Sequence, residues 1–594
     1  MSENKISRRE FLKNAGAVVG GAAVGTSLLG FSSCATTGAG VAAGFEGGVP
    51  DKWDYSQDVV VIGLGAAGAS SSIQAADSGA KVLILEKQGP LTICNSRMAG
   101  GIWHNPFRDG SRPDLVNYIK AQMSGENIPW KFEGEQPQVS DDMAEMFATG
   151  IMQTQAWLMK IDPELDEAAM RPTGEASFPS FPSFKEAKYG ESINTRYKNW
   201  RNADLSLPPF KQPKDTKSAG EALYYALVEE GVKKQRKDKI EIWYSSPVKR
   251  IIRAANGEVQ GVVCEKEGKL MNIRATRAVI LCSGGFEYNL PMRRAFLEGA
   301  GVKGWCFYGS QDNTGDGIEM GILIGCGLAK VAKSASRIEV GIPAGKWWTA
   351  DGKGLKIGAG SSVSSSRNSI VVDNFGSRYD DEFLITDSRR PYRYQFYKEA
   401  VKYDMLKMLY PRTPSWAIFD ETRRLASPLI SGTTWAFGLL DWGKDDNSDA
   451  IAKGWILKGD TLDELAANIK ADPENRKLMD ADTLKAQVAR FNDSCAAGKD
   501  AEFNRDPSTM GPIQKPPFYA LKHYPGGPNT KGGIDANAKR QALDWKGNPI
   551  PRLYTAGEIS SVFKFVYQGG GNLTECMICG RKAGENAAQE KPWA

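Results

Sequence analysis

The chain of 594 residues carries a formal net charge of +5, with 41% hydrophobic and 24% charged residues. Such a chain is too long for a single hydrophobic core and has the composition of a folded globular protein, so two or more domains are expected. The small charge, with no dense Lys/Arg block, argues against nucleic acid as a partner.

The first residues read as a processing segment. "SRREFLK", Ser7 to Lys13, precedes the Gly/Ala-rich run "NAGAVVGGAAVGTSLLGF". A basic segment before an apolar stretch too short and too glycine-rich to persist as a membrane-spanning helix predicts a signal. The pair Arg8–Arg9 resembles the twin-arginine export signal, which carries proteins across a membrane already folded. Folded export is most useful where a cofactor is inserted first. "FSSC", Phe31 to Cys34, is similar to a lipoprotein cleavage site, so Cys34 is a candidate for lipidation and membrane anchoring. Cleavage a few residues later is the alternative. The expected location is periplasmic or otherwise extracytoplasmic, and residues 1–48 are set aside from the fold.

"DVVVIGLGAAGASSSIQAADSGAKVLILEK", Asp58 to Lys87, reads strand, glycine turn, helix, strand. Its apolar run "VVVI" predicts a strand buried on both faces of a parallel sheet. Gly63, Gly65 and Gly68 form GxGxxG between strand and helix, with Ala66 and Ala67 at the helix start. Gly63 makes the tight turn, Gly65 lets a pyrophosphate approach the backbone, and Gly68 packs helix on strand. Glu86 ends the second strand, where a carboxylate can accept ribose hydroxyls. The fingerprint predicts a dinucleotide site and does not by itself choose FAD over NAD.

Further along, "IEIWYSSPVKRIIRAANGEVQGVVCEKEGK" alternates like an antiparallel meander around "NGE". "RAVILCSGGF" is another buried strand running into a double glycine. The middle of the chain, from about Arg337 to Ser508, holds helical stretches such as "DTLDELAANIKAD" and "DADTLKAQVARFNDS", each opening on an N-capping Asp or Thr. Past "KPPFYALKHYPG" the glycine-rich, strand-like character returns. The expected fold class is α/β: a Rossmann-like nucleotide domain (49–335 and 516–594) interrupted by an inserted α+β capping domain (336–515). Cys94, Cys264, Cys282, Cys306, Cys326 and Cys495 suggest no disulfide framework and read as small apolar fillers. Cys576 and Cys579 form a CxxC followed by Gly580, so a covalent haem site is excluded. A redox pair, part of an iron–sulfur site and buried structural thiols stay open, the last preferred. No other cluster has metal-ligand spacing.

"NSRMAGGIW", "CSGGF", "NTGDG" and "RLYTAGEI", taken together, resemble the flavoprotein family that contains soluble fumarate reductases and 3-ketosteroid dehydrogenases. The resemblance covers nearly the whole chain past the signal and implies FAD. It implies that Gly63, Gly65, Gly68, Glu86 and Lys87 hold the ADP half, while Ser96, Ala99, Gly100 and Gly101 line the pyrophosphate and flavin. Val248 would present its backbone to adenine, and Ser283, Gly284 and Asp316 would face the cofactor. Glu558 would bind ribityl hydroxyls, and Asn572 and Leu573 would close over the isoalloxazine.

Hydride exchange with a substrate carbon requires a proton donor or base nearby and a group that polarises the substrate. The chain has only two histidines, His104 and His523, and both read as hydrogen-bonded structural residues. The "HTMGG" of fumarate reductases corresponds to "NTKGG" here, so Asn529 replaces a binding histidine. Their "NRLGGN" aligns with "VYQGGG", placing Tyr567 at the substrate arginine, and their "HPT" has no equivalent in "VGIPAG". A dicarboxylate would lose its bidentate partners, so fumarate is not the expected substrate. Tyr567 and Gly571, spaced Y-x-x-x-G, instead resemble the 3-ketosteroid dehydrogenase pattern. There a tyrosine hydroxyl and a glycine N–H hold a ketone oxygen and stabilise the enolate. By the same resemblance Tyr392, of "RRPYRY", or Tyr394 would move the proton, with Arg378, Arg389, Arg390 and Arg423 as further candidates for a relay or clamp.

The expected function is that of an exported flavoenzyme acting across a CH–CH bond next to a carbonyl. Its substrate would be a ketosteroid-like or other enone, reduced more readily than desaturated, with electrons from a separate membrane or periplasmic carrier as in anaerobic respiration. A urocanate-, cinnamate- or fumarate-type carboxylate reductase with a modified site is one alternative. An electron-transfer subunit without its own substrate is another.

Overall fold

Val59–Ile62 is wholly apolar and wholly buried, and such a strand belongs in the middle of a sheet covered on both faces. In the computed structural model it does. The strands Pro549–Thr555, Lys269–Leu281, Tyr55–Ile62, Val82–Leu85 and Ile240–Trp243 run parallel in that spatial order. The hairpin Val248–Arg253/Val259–Lys266 turns at Asn256–Gly257 and continues antiparallel onto Lys269–Leu281. The helix Ala66–Asp77 follows the first strand and packs against the C-terminal helix Gly571–Gln589. The residues described are 48–107, 112, 114–124, 139–173, 181, 190–200, 219–299, 301–334, 337–345, 348, 354–363, 366–385, 393–430, 442–563 and 567–593. The twin-arginine pair and Cys34 lie outside them, as do Arg389, Arg390 and Tyr392.

The segment read as a meander divides. Ile240–Trp243 leaves it and pairs parallel with Val82–Leu85, while the rest forms the expected antiparallel ribbon. Its apolar–polar alternation is the same in either setting, so only the tertiary partner decides.

A second sheet carries the capping half. Cys306–Phe307, Ile357–Gly360, Arg337–Ile342, Phe518–Gly527, Ser415–Asp420 and Ser369–Val372 follow one another across it, and Ile456–Gly459 also pairs with Phe518–Gly527. The strand Phe518–Gly527 bonds to several neighbours at once, so this sheet reaches beyond the expected 336–515 insert on both sides. The helices Leu462–Ala471 and Ala481–Ala497 form where the N-caps predict. Thr461 Oγ1 accepts from the N–H of Glu464 at 3.1 Å and Asp480 Oδ1 from that of Thr483 at 2.8 Å. Separate apolar cores fill the two halves: Val59, Ile73, Ile280 and Met577 in one, Phe307, Val340, Phe419 and Leu521 in the other. No helix among the described residues is long and apolar enough to cross a membrane.

Candidate active site

The C-terminal ends of the parallel strands open into a cavity of about 550 Å³ that runs from the glycine turn to the edge of the second sheet. This is where an α/β sheet places ligands. At one end lie Gly63, Gly65, Ala66, Ala67, Glu86, Lys87, Val248 and Asp316. Gly63 has φ +99°, and a Cβ there would stand 2.6 Å from the carbonyl oxygen of Cys282. Gly68 does not border the cavity; a Cβ on it would strike the Gly63 carbonyl at 2.0 Å, which fits its expected part in seating the helix. The helix Ala66–Asp77 has no acidic residue in its first turn, and its first N–H, that of Ala66, donates to Ser96 Oγ at 3.0 Å. Glu86 is buried; its carboxylate accepts from the N–H groups of Leu64 and Gln88, each at 2.8 Å, while burial raises its pKa. Lys87 Nζ donates to Thr314 Oγ1 at 2.9 Å and Asp316 Oδ2 at 2.8 Å, tying the "NTGDG" loop to the second strand.

The middle of the cavity is bordered by Ser96, Ala99, Gly100, Gly101, Ser283, Gly284, Glu558, Asn572 and Leu573. One amide organises it. Asn95 Nδ2 donates to Glu558 Oε2 at 2.8 Å and to Glu287 Oε1 at 2.9 Å. Burial, followed by the charge and hydrogen bond of Glu287, raises the Glu558 pKa well above its ordinary value, which favours a proton held between the two carboxyls. Sequence reasoning found Glu558 and missed Glu287, which sits after "CSGGF" with no motif of its own.

This donor set fits FAD: a helix N-terminus free of carboxylates, a glycine turn where any side chain would collide, a buried acid at the strand end and neutral polar groups along the middle. All the expected cofactor residues except Gly68 border one continuous cavity.

The far end draws on the second sheet and on the residues around the start of the terminal helix: Arg337, Ile338, Glu339, Gly360, Ser361, Ser362, Asn529, Tyr567, Gly569, Gly570 and Glu575. Tyr567 is buried and borders the cavity. Behind it lies the buried Lys531, with Nζ 4.9 Å from the centre of the Tyr567 ring. Lys531 Nζ also donates to Glu575 Oε1 at 3.1 Å, to Ser561 Oγ at 3.2 Å and to Asn572 Oδ1. Asn572 in turn donates to Asn529 Oδ1 at 2.6 Å. The Lys531 and Glu575 side chains are each 1% exposed. Lysine at the third position of "NTKGG" was the available signal: a cation inside a glycine-rich strand has no solvent to face.

Gly571 departs from expectation. It opens the terminal helix, its N–H donates to the Gln568 carbonyl at 2.9 Å, and it does not border the cavity. Gly569 and Gly570 border it instead. Arg378 also departs. It is sealed in the capping half, with Nε on Glu382 Oε1 at 2.6 Å and Nη2 on Asp500 Oδ2 at 2.9 Å, and Arg505 closes the cluster on Glu382 at 3.3 Å. These charges saturate one another away from the cavity, so Arg378 is neither relay nor clamp. Arg423 is buried behind the cavity wall, donating to the carbonyls of Ser427 and Ser362 at 3.0 Å each. Tyr394 lies in the helix Arg393–Ala400.

Both histidines are buried and neutral, with burial bringing each pKa down to about 3. His104 Nε2 lies 3.2 Å from the Gly569 carbonyl, holding the glycine turn, and His523 Nε2 lies 2.8 Å from Ser361 Oγ. Cys576 borders the cavity and Cys579 is buried; burial raises both thiols, that of Cys579 to about 11.

Fold and cavity together define a dinucleotide-binding flavoprotein of the α/β class. A family model described as FAD binding domain matches residues 58–573, and the chain belongs to that family. It is 27% identical to digoxin reductase of Eggerthella lenta, over 100% of this chain and 98% of that protein. It is 25% identical to 3-oxosteroid 1-dehydrogenase of Mycolicibacterium smegmatis, over 88% and 95%. The solved 3-ketosteroid delta1-dehydrogenase of Sterolibacterium denitrificans shares the fold, with a TM-score of 0.66 at 21% identity over 90% of this chain and 99% of that one. The protein is an FAD-dependent oxidoreductase acting on CH–CH groups.

Proposed function

We propose that this chain reduces a carbon–carbon double bond conjugated to a carbonyl, with an enone of ketosteroid type as substrate. It would be exported by the twin-arginine route and draw electrons from a separate membrane or periplasmic carrier. The observation that carries the reading is Tyr567 bordering the cavity with the buried Lys531 cation against its ring. A positive charge against the ring draws electron density from it and strengthens the hydroxyl as a hydrogen-bond donor. Tyr567 Oη–H, with the N–H of Gly570 in place of Gly571, would hold the carbonyl oxygen and stabilise the enolate as charge develops on it. Gly63, Gly65 and Ser96 would hold the cofactor's pyrophosphate, Glu86 its ribose, Val248 its adenine and Glu558 its ribityl chain. Bound FAD supplies hydride exchange with a substrate carbon. Tyr392 or Tyr394 would deliver the proton to the carbon beside the carbonyl.

Two relatives support the substrate class, one named for digoxin and one for 3-oxosteroids, both steroid-framed carbonyl compounds. The relative that spans the full chain is named a reductase, which supports the direction. A second reading rests on Arg337, which borders the far end and is a cation suited to a carboxylate-bearing substrate. Glu339, two residues along the same strand, borders the cavity beside it and offsets that charge.

The test uses photoreduced protein without oxygen, with flavin reoxidation followed against steroidal and small enones, cinnamates, urocanate and fumarate. Rapid reoxidation by an enone is expected, falling by roughly 100-fold or more in Tyr567→Phe with FAD retained. Reoxidation by carboxylates alone, abolished in Arg337→Met, would establish the second reading instead.

A further inference from the structure

In the capping half, apart from the cavity lining, one exposed loop is apolar. Met405, Leu406 and Met408 are 78%, 98% and 77% exposed, the largest exposures of any hydrophobic side chains among the described residues. Single exposed apolar residues are ordinary; adjacent ones at the end of one loop are not.

The loop is built to present them. Asp404 and Leu409 pair antiparallel and close it, with the Asp404 N–H donating to the Leu409 carbonyl at 2.9 Å. Inside the turn, Asp404 Oδ1 accepts from the N–H groups of Leu406 and Lys407 at 3.0 and 2.9 Å. The backbone N–H groups of Asp404, Leu406 and Lys407 are thus satisfied within the loop, which lowers the cost of entering a medium that offers no hydrogen bonds. At the neck, the rings of Tyr403 and Tyr410 meet edge to face at 4.9 Å. Aromatic rings with a polar end favour the boundary between headgroups and acyl chains.

Charge selects among occupants. Arg393 to Arg412 holds five cationic and two anionic residues. Lys402 precedes the tip and Lys407 lies within it between Leu406 and Met408, 62% and 53% exposed, and their only ion pairs among the described residues are the solvent-facing ones with Glu399 and Asp404. Exposed pairs of that kind hold weakly, so both ammonium groups can turn to external phosphates. Exposed apolar side chains, an aromatic pair at the neck and long lysine stems that can carry their ammonium groups back to headgroup level suit a lipid surface.

We propose that the loop Tyr403–Tyr410 is a membrane-docking tip, with Met405, Leu406 and Met408 entering the acyl boundary of an anionic phospholipid bilayer while Lys402 and Lys407 meet its headgroups. The docking is peripheral and reversible, and independent of the chemistry in the cavity. Such a contact would hold the enzyme at the surface where lipid-soluble electron carriers and steroid-like substrates both partition.

The test compares the full FAD-loaded chain with its Met405→Ser/Leu406→Ser/Met408→Ser variant by flotation with vesicles of phosphatidylcholine and phosphatidylglycerol. Both proteins share every other segment, the N-terminus included, so their difference reports the tip. Vesicle affinity is expected to fall at least about tenfold in the variant, with flavin content and melting temperature unchanged. Lys402→Gln/Lys407→Gln is expected to lose about fivefold on these vesicles and nothing on pure phosphatidylcholine. Leu406→Trp is expected to show a blue-shifted emission on vesicles, quenched by brominated acyl chains. Equal flotation of parent and serine variant, or none by either, overturns the proposal. So does a parent that self-associates in light scattering through these residues without binding vesicles, since the tip would then be covered by a second copy.

Discussion

Two ionic clusters in this molecule are equally buried and differ in what they face. In the capping half, Arg378 and Arg505 meet Glu382 and Asp500 with side chains 0% exposed. Beside the cavity, Lys531 meets Glu575 with side chains 1% exposed. The first is closed: each guanidinium faces carboxylates, and nothing of it borders the cavity. The second is open on one side, since Glu575 and Asn572 border the cavity and the Lys531 charge also lies against the Tyr567 ring. Burial of charge therefore does not mark a functional site. What marks it is a charge whose balance extends to a group that a ligand can touch.

The sharpest way to break that contrast is to remove one cation from each cluster. Arg378→Met leaves Glu382 and Asp500 short of a partner in a dry interior and is expected to cost about 3–5 kcal/mol of stability. Turnover per mole of folded, flavin-loaded protein should stay as in the parent, measured by enone-driven reoxidation beside urea unfolding. A loss of turnover without a loss of stability would put Arg378 back among the active-site residues. Lys531→Met is expected to do the opposite in kind. It should slow enone turnover by a factor of about 30, the worth of a desolvated cation–ring contact of about 2 kcal/mol. Lys531→Arg should restore part of the rate. Because the single variant also strands Glu575, the double variant Lys531→Met/Glu575→Gln separates the effects: stability should return and turnover should not.

The same contrast explains what was legible in the sequence. The cofactor end is written in consecutive residues, since GxGxxG and Glu86 belong to one strand–helix–strand unit whose geometry is local. The far end is assembled by pairing. Arg337–Ile342 aligns with Phe518–Gly527, and Lys531 meets Glu575 and Asn572 from a separate helix. No window of sequence holds those partners together, so the sequence points to Arg378 and passes over Lys531, which the fold places against the Tyr567 ring. That Gly570 rather than Gly571 borders the cavity has a related reason. Where a helix begins decides which N–H is spent on the turn before it, and that boundary is fixed by the Gln568 carbonyl rather than by the spacing of glycines.

A smaller effect tests the acid pair in the middle of the cavity. Burial and then Glu287 raise the Glu558 pKa, so the folded state holds a proton that the unfolded chain releases at the ordinary carboxylate pKa of about 4.3. Above that pH the unfolded state binds fewer protons, so this group's contribution to stability is full below it and declines as pH rises toward the folded value. The slope is at most about 1.4 kcal/mol per pH unit. Glu558→Gln keeps a donor toward Glu287 and does not titrate. The unfolding free energy of the variant relative to the parent should therefore rise between pH 5 and pH 8, and a gap independent of pH would mean that Glu558 is ionised in the folded protein.

The smallest expected effect concerns Cys576, which borders the cavity within a CxxC and so has the sequence signature of a redox pair. Reactive cysteines need a stabilised thiolate, and here burial works against it, raising Cys576 well above its ordinary value and Cys579 to about 11. The position lies on the helix Gly571–Gln589, inside the apolar packing that seats the cofactor half. Like Arg378 it is conspicuous in sequence; unlike Arg378 it borders the cavity, but as a thiol that burial keeps from ionising. Cys576→Ser should leave turnover within about twofold and the flavin potential unchanged, and neither thiol should react with an aromatic disulfide before unfolding. A potential that shifts in the serine variant, or rapid labelling of the native protein, would show that this pair exchanges electrons with the cavity after all, and the distinction between closed and open groups would then have to be drawn by distance to the flavin rather than by charge balance.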